Sequence, residues 1–155
     1  MGKIADRILG VKQKGIKSLR KPAKRVKLIS LAKLKKKLWE QIKAYIRIRD
    51  KGVCQACGAT GLVGSNAQTS HLIASSICGG YLRYDHRNLY LCCFRCNISL
   101  SGNIANLYKN VVDKKGQPFM DKLFEDAQKS IQLDRIFLMN KIEEYGSLSR
   151  APITG

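Results

Sequence analysis

The sequence has no long apolar run and few acidic residues. Nothing in it approaches the roughly 20 predominantly apolar residues that a membrane span needs. The basic N-terminus lacks an apolar core with a small-residue cleavage site, so we expect no signal peptide and a cytoplasmic location. The chain of 155 residues carries 11 Asp/Glu against 29 Lys/Arg, a formal net charge of +18. Its length is typical of one domain with an appended arm.

The positive charge is concentrated near the N-terminus. Residues 1–50 hold 17 Lys/Arg and 3 Asp/Glu, residues 51–112 hold 5 and 1, and residues 113–155 hold 7 and 7. We therefore predict a basic arm over residues 1–27 that meets a polyanion, with nucleic acid ahead of an anionic membrane surface. The alternative is a solvated tail that only improves solubility. The candidate nucleic-acid-binding residues are Lys21, Lys24, Arg25, Lys27, Lys35, Lys36, Lys37, Arg83, Arg87 and Arg95.

Apolar residues recur at three- and four-residue intervals from Leu28 to Ile46, which predicts an amphipathic helix ending near Gly52. The segments "SHLIAS" and "NLYLCC" predict two short strands around a glycine-containing loop. A helix is predicted from about Cys96 to Val112. A last helical region is predicted from about Pro118 to Tyr145, with Gly146 terminating it. We divide the chain into the arm, residues 28–112 and residues 113–155.

Six cysteines in a reducing compartment favour metal ligation over disulfides. Cys54 and Cys57 form one C-x-x-C pair, and Cys93 and Cys96 form a second after 35 intervening residues. Four thiolates close a tetrahedral zinc shell, so the pattern predicts a structural zinc site. Cys92 is an alternative ligand in the second pair, although the spacing favours Cys93. The remaining alternative is that all six cysteines are buried small apolar residues.

The order of the polar residues around these cysteines is similar to that of a known group of proteins. The string "CQACG…SHLIAS…GG…RNLYLCCFRCN" resembles the HNH, or His-Me finger, nucleases. Together with "LWEQIKAYIRIRDKGVCQACG" and "SGNIANLY", it looks more narrowly like the NinG/Rap family of phage recombination nucleases, over residues 38 to about 108. The implied fold is α+β: a zinc-braced ββα core flanked by an N-terminal basic helical arm and a C-terminal helical region.

The resemblance implies a metal-dependent DNA endonuclease, with Holliday junctions and D-loops as substrates. His71 would be the general base, Asn88 would orient its imidazole, and Asn97 would help to bind a catalytic Mg²⁺ or Mn²⁺. Related sequences often carry an acid immediately before the base, where this chain has Ser70. We nominate Asp85 as the missing carboxylate ligand, because it is the only acid between residues 51 and 112.

Two further expectations remain open at this point. The alternative function is a non-catalytic zinc module that binds DNA or RNA. Cutting both strands of a four-way junction favours a two-fold dimer, at least on DNA. A candidate apolar stripe for the dimer interface contains Phe119, Leu123, Ile131, Leu133, Ile136, Phe137 and Ile142. The stripe could instead pack on the zinc-bound segment of its own chain.

Overall fold

The computed structural model describes residues 28–151, which form an α+β fold with a small two-stranded sheet. The predicted arm over residues 1–27 lies outside the described residues. A π-helical turn at Arg95–Ser99 and short 3-10 turns at Gly64–Asn66 and His86–Asn88 complete the elements. The α-helices and strands are α1 (Leu31–Arg49), β1 (Gln68–His71), α2 (Gly79–Arg83), β2 (Leu89–Cys92), α3 (Ile104–Lys115), α4 (Gln117–Ala127) and α5 (Arg135–Leu148).

Helix α1 confirms the periodicity of the sequence. Ser30 caps its N-terminus by accepting a hydrogen bond from the Lys33 amide. The buried residues of the helix repeat every four positions and are Leu34, Leu38, Ile42 and Ile46. Burying an aliphatic side chain of this size contributes about 1.5–3 kcal/mol, so the stripe fixes which face of α1 meets the core.

The two predicted strands pair antiparallel. His71 lies opposite Leu89, and Ser70 lies opposite Tyr90. All four residues of β2 are buried, and α1 packs on the sheet. The guanidinium of Arg49, at the end of α1, donates to the carbonyl oxygens of His86 and Leu89, each at 2.7 Å. These hydrogen bonds tie the helix to the strand that leads into the second cysteine pair.

The predicted helix from Cys96 to Val112 is interrupted. After the π-helical turn, Ser101, Gly102 and Asn103 all have positive φ values, of 47°, 93° and 47°. These residues separate the π-helical turn from α3, which begins at Ile104. Residues other than glycine are sterically disfavoured at positive φ. Tertiary contacts must therefore stabilise Ser101 and Asn103 in this turn.

The last helical region predicted over Pro118–Tyr145 consists of two helices, α4 and α5, which are separated by residues 128–134. Asp134 starts α5 by accepting a hydrogen bond from the Phe137 amide at 2.8 Å. The intervening segment packs closely on α2. A Cβ added at Gly79 or Gly80 would lie 2.7 Å from the carbonyl oxygen of Lys129 or Ile131, respectively. Gly146 lies inside α5 and does not terminate it.

Helix α5 returns to pack against α1. Leu123 of the predicted dimer stripe is fully buried, and Phe119, Leu133, Phe137 and Ile142 pack partly buried on the core. Most of the stripe therefore follows the alternative expectation, packing on its own chain, whereas Ile136 remains 69% exposed. The dimer itself stays a prediction. Among the described helices, none has the length and apolarity needed to cross a membrane.

The predicted division after residue 112 falls within α3, which continues to Lys115. Gly116 then joins α3 to α4 with a φ of 81°, and Pro118 occupies the first turn of α4 as expected. The three-part division of the chain stays a prediction.

Candidate zinc site and catalytic pocket

The two cysteine pairs converge as their spacing predicted. The Sγ atoms of Cys54, Cys57, Cys93 and Cys96 all lie within 4.8 Å of one another. Cys57 and Cys93 are 3.9 Å apart. A tetrahedral site with zinc–sulfur bonds of ~2.3 Å has sulfur–sulfur edges of about 3.8 Å. The four thiols can therefore hold a zinc ion with no open coordination position, as a structural site requires.

Each cysteine pair is tied to a different part of the fold. The Gln55 amide donates to Leu91 of β2 at 2.8 Å, and the Asn110 side chain donates to the carbonyl oxygens of Gln55 and Ala56 at 3.0 and 3.1 Å. At the second pair, the Asn103 side-chain amide donates to Sγ of Cys96 at 3.4 Å. These contacts orient the thiols from outside the cluster.

Cys78 and Cys92 lie outside the four-cysteine cluster, as predicted. Both are fully buried. Burial raises the pKa of the Cys92 thiol strongly and also raises that of Cys78. These two residues behave as small apolar side chains.

His71 lies at the end of β1 and lines two cavities of the described structure. On one side its imidazole stacks on Trp39 of α1, with ring centroids 5.8 Å apart and planes 9° from parallel. Its Nε2 lies 3.1 Å from the carbonyl oxygen of Arg83. Because a carbonyl oxygen only accepts, Nε2 carries the proton and Nδ1 keeps its lone pair. Burial lowers the pKa of His71 below its usual value. The ring is therefore neutral at pH 7.

Asn88 is fully buried, and its hydrogen bonds hold the residues that follow β1. Its Oδ1 accepts from the Ile73 amide at 2.7 Å, and its Nδ2 donates to the Ile73 carbonyl oxygen at 2.9 Å. The Leu72 amide donates to the Asn88 carbonyl oxygen at 2.9 Å. Asn88 was predicted to orient the imidazole, but its hydrogen bonds in the described residues form a clamp on Leu72 and Ile73 and do not reach the ring. Asn88 positions the His71 backbone, while the Arg83 carbonyl orients the ring.

Asn97 and His71 line the same cavity, which has a volume of about 490 Å³. Ser101 adds a hydroxyl group to its lining, whereas the hydroxyl of the buried Ser70 bonds to the Cys92 thiol. Within residues 28–151, no hydrogen bond engages the Asn97 side chain, whose backbone amide donates to Cys93. Asn97 directly follows Cys96 and bonds to Cys93, so the second cysteine pair fixes its position.

Asp85 is not brought to this cavity. Its carboxylate accepts hydrogen bonds from the side chain and backbone of Arg87, at 2.8–3.2 Å. Although burial opposes it, these hydrogen bonds lower the pKa of Asp85. Arg87 also bonds Asp126 of α4 at 2.9 Å. Arg87 thus joins two buried carboxylates, and sequence spacing could not reveal the pairing.

The other predicted cationic residues lie on different surfaces. Lys35, Lys36 and Arg83 surround Trp39 and His71 in a second cavity of about 340 Å³. Lys37 lines an apolar groove with Leu28 and Arg135. Arg95 is exposed at the start of the π-helical turn. Lys21, Lys24, Arg25 and Lys27 lie outside the described residues. Three of the ten predicted cations are therefore adjacent to His71.

Several residues that shape the site carry no signal in the sequence. Trp39 is the one tryptophan of the sequence, and nothing in the helical period of α1 places it against His71. Asn103 and Asn110 had no motif that marked them as partners of the cysteine pairs. The hydroxyl of the buried Tyr145 donates to the Tyr84 carbonyl oxygen at 2.8 Å, which braces the segment next to Arg83 from α5.

The family model described as "Bacteriophage Lambda NinG protein" matches residues 7–151. The match spans nearly the whole chain, so this protein belongs to the NinG family of phage proteins. The predicted resemblance is confirmed at the level of the NinG family. The wider HNH assignment stays a prediction.

The chain is also similar to the WD repeat-containing protein fzy-1 of Caenorhabditis elegans. The two are 28% identical over 105 residues, which cover 68% of this chain. The chain spans about a fifth of that protein's length, 19%. No solved structure matches the chain.

Proposed function

We propose that this NinG-family protein is a metal-dependent DNA endonuclease that hydrolyses phosphodiester bonds by HNH-type chemistry. The observation that carries the proposal is the shared cavity of His71 and Asn97. His71 comes from the end of β1, and Asn97 follows a zinc-site cysteine in the π-helical turn. His71, whose Nδ1 keeps its lone pair, and Asn97 thus line one cavity.

His71 acts as the general base in this account. Its neutral state and its Nε2 hydrogen bond to Arg83 leave Nδ1 able to take a proton from water. Trp39 and the Arg83 carbonyl limit rotation of the ring. A base held in one orientation loses little entropy when the reaction begins.

The cavity offers neutral oxygen ligands for a divalent ion. Asn97 and Ser101 contribute an amide oxygen and a hydroxyl, whereas Ser70 is buried with its hydroxyl bonded to the Cys92 thiol, and no carboxylate lines the cavity within residues 28–151. Mg²⁺ and Mn²⁺ prefer oxygen ligands, and Mg²⁺ is often bound partly through substrate phosphates. Asn97 would hold the ion together with a DNA phosphate, and the ion would polarise that phosphate and stabilise the leaving oxygen. Asp85 has no part in this site.

The cationic surface beside His71 provides contacts to the DNA backbone. Lys35 and Lys36 project from exposed positions on α1, and Arg83 ends α2. These side chains adjoin His71 on the side of Trp39. Phosphates held there would bring the scissile bond to the base, and Arg95 and the basic residues before Leu28 would add affinity.

Family membership supports branched recombination intermediates, such as Holliday junctions or D-loops, as the substrate. It likewise supports action in the cytoplasm of a bacterial host. Two cuts in a junction would favour a homodimer on DNA. The exposed Ile136 and the apolar groove beside Arg135 are available for such contacts.

The second candidate is a non-catalytic zinc-containing nucleic-acid-binding protein. The absence of a carboxylate from the described cavity lining favours it, because a cavity of neutral oxygens holds a divalent ion weakly without the substrate. Zinc and the cationic surface would serve either function equally.

Incubation with matched DNA substrates tests the proposal. Purified full-length protein would be mixed with a four-way junction and a linear duplex of the same sequence, with Mg²⁺, Mn²⁺ or EDTA. Junction cleavage with either ion, abolished by EDTA, is the expected result. Binding without cleavage under all conditions would favour the second candidate.

A further inference from the structure

The cavity lined by His71 and Asn97 also has an apolar part, whose residues have no role in the proposed hydrolysis. This region is lined by Ile77, Ile104, Tyr108 and Phe124. Ile77 is 70% exposed and Phe124 is 45% exposed. Exposed apolar side chains that gather in one concave surface mark a binding site more often than scattered ones do.

Two aromatic rings form the far wall of the cavity. Tyr108 comes from α3 and Phe124 from α4, and their ring centroids are 6.3 Å apart with planes tilted by 38°. The Tyr108 hydroxyl lies 3.5 Å from Gln117 at the start of α4. The rings are thus held by two packed helices, and the exposed Phe124 lacks a full covering of protein.

We infer that this aromatic wall receives an unpaired nucleobase of the DNA substrate, next to the phosphate at His71 and Asn97. The inference rests on the proposed function and specifies how that function selects its substrate. Every nucleobase has a flat face that stacks on aromatic side chains, and such stacking contributes about 1–3 kcal/mol per base.

The charges around the cavity favour a nucleotide over an apolar peptide or a second copy of the chain. Lys35, Lys36 and Arg83 adjoin the other side of His71. Phosphates are attracted to that side, while the aromatic wall suits a base. Hydroxyl and amide groups of Ser75, Ser101 and Asn97 line the same cavity and can bond the edge of the base.

This arrangement gives a physical basis for a preference for branched DNA. A base in an intact duplex must be unpaired and unstacked before it reaches Tyr108 and Phe124, at a cost of a few kcal/mol. A base at a branch point is already unpaired or easily unpaired. The aromatic wall therefore favours forks and junctions without reading their sequence.

A double-mutant cycle between protein and DNA tests the inference. Binding of the full-length protein to a forked duplex would be measured in EDTA, with an abasic nucleotide placed at each position around the branch in turn. We expect one position at which base removal weakens binding by roughly 5- to 150-fold, the range that corresponds to the stacking energy. Phe124→Ala should weaken binding to the intact fork similarly. It should add little when that base is already absent.

Phe94→Ala is the matched control, because Phe94 is an aromatic residue that is 50% exposed and does not line the cavity. It should leave binding to each fork unchanged. Phe124→Leu keeps an apolar side chain but removes the ring, so it should show the same loss as Phe124→Ala if stacking matters. Zinc content and melting temperature would verify that each variant is folded.

The inference is overturned if no abasic position weakens binding, if the losses from Phe124→Ala and base removal multiply, or if the fork is not bound. Because binding is measured without a divalent ion, a failure of cleavage would contradict the proposed nuclease and leave this result standing. Normal cleavage without coupling would contradict the base pocket alone.

Discussion

The side-chain amide of Asn103 lies 3.4 Å from Sγ of Cys96 and donates a hydrogen bond to it. Asn103 has a φ of 47° and ends the turn that contains Ser101, a residue of the cavity lining. The four-cysteine site therefore helps to hold a strained turn beside the cavity of His71 and Asn97. Loss of the hydrogen bond should affect both the metal and the pocket.

Asn103→Asp should weaken zinc retention, because a carboxylate does not donate to sulfur and its charge repels the thiolates. Asn103→Gly tests the same bond while permitting the positive φ. Changing a residue that supports a metal ligand typically costs about 10- to 100-fold in metal affinity. Competition with a chromogenic chelator would measure the loss. Unchanged zinc affinity in both variants would show that the bond does not support the site.

The four thiols predict one tightly held zinc per chain. Cys54→Ser should lose zinc and unfold much of the described domain, because structural zinc supplies folding free energy directly. Cys78→Ser is the matched control, since Cys78 is buried outside the cluster. Elemental analysis and circular dichroism would measure both effects. Equal zinc content in wild type and Cys54→Ser would contradict the assignment.

Asn88→Ala should destabilise the fold by about 1–3 kcal/mol, because it leaves the buried amide and carbonyl of Ile73 without their partners. Denaturant titration would measure the change in the free energy of unfolding. Asn140→Ala, at an exposed position on α5, is the control with the same side-chain deletion. A loss as small as in the control would show that the clamp on Ile73 contributes little.

The pH dependence of cleavage should follow His71. Burial lowers the pKa of this imidazole, so activity should be lost as pH falls through a value below the usual 6.5. The unfolded chain binds the proton more readily, so stability from this group is present above pH 6.5 and declines below it. A pH–rate profile and NMR titration would measure both. An acid limb above pH 6.5 would contradict the assignment.

Removal of residues 1–27 should weaken DNA binding and flatten its salt dependence. The segment holds 10 Lys/Arg and 1 Asp. For each phosphate that the shortened protein no longer neutralises, the slope of log affinity against log salt should become shallower by roughly 0.9. Fluorescence anisotropy at several salt concentrations would measure the slope. An unchanged slope would mean that the arm does not bind phosphates.

The sequence predicted those features that depend on residues close together in the chain. The stripe from Leu34 to Ile46 follows the helical period, and the two cysteine pairs carry the spacing of a zinc site. The partners of Asp85 and Asn88 could not be predicted this way. Arg87 links Asp85 to Asp126, and Asn88 reaches Ile73, through contacts that the folded chain creates. The segment between α4 and α5 likewise packs against Gly79 and Gly80, which lie far from it in the sequence.

His71 is the proposed general base of a nuclease, so removing its imidazole should abolish cleavage without unfolding the protein. The most direct test measures single-turnover cleavage of a four-way junction in Mg²⁺ by wild type, His71→Ala and His86→Ala. His86 is the matched control, because its ring packs edge-on against Tyr45 and does not line the cavity. We predict that His71→Ala retains zinc and junction binding but loses cleavage by roughly 100-fold or more, while His86→Ala still cleaves. Undiminished cleavage by His71→Ala would contradict the account.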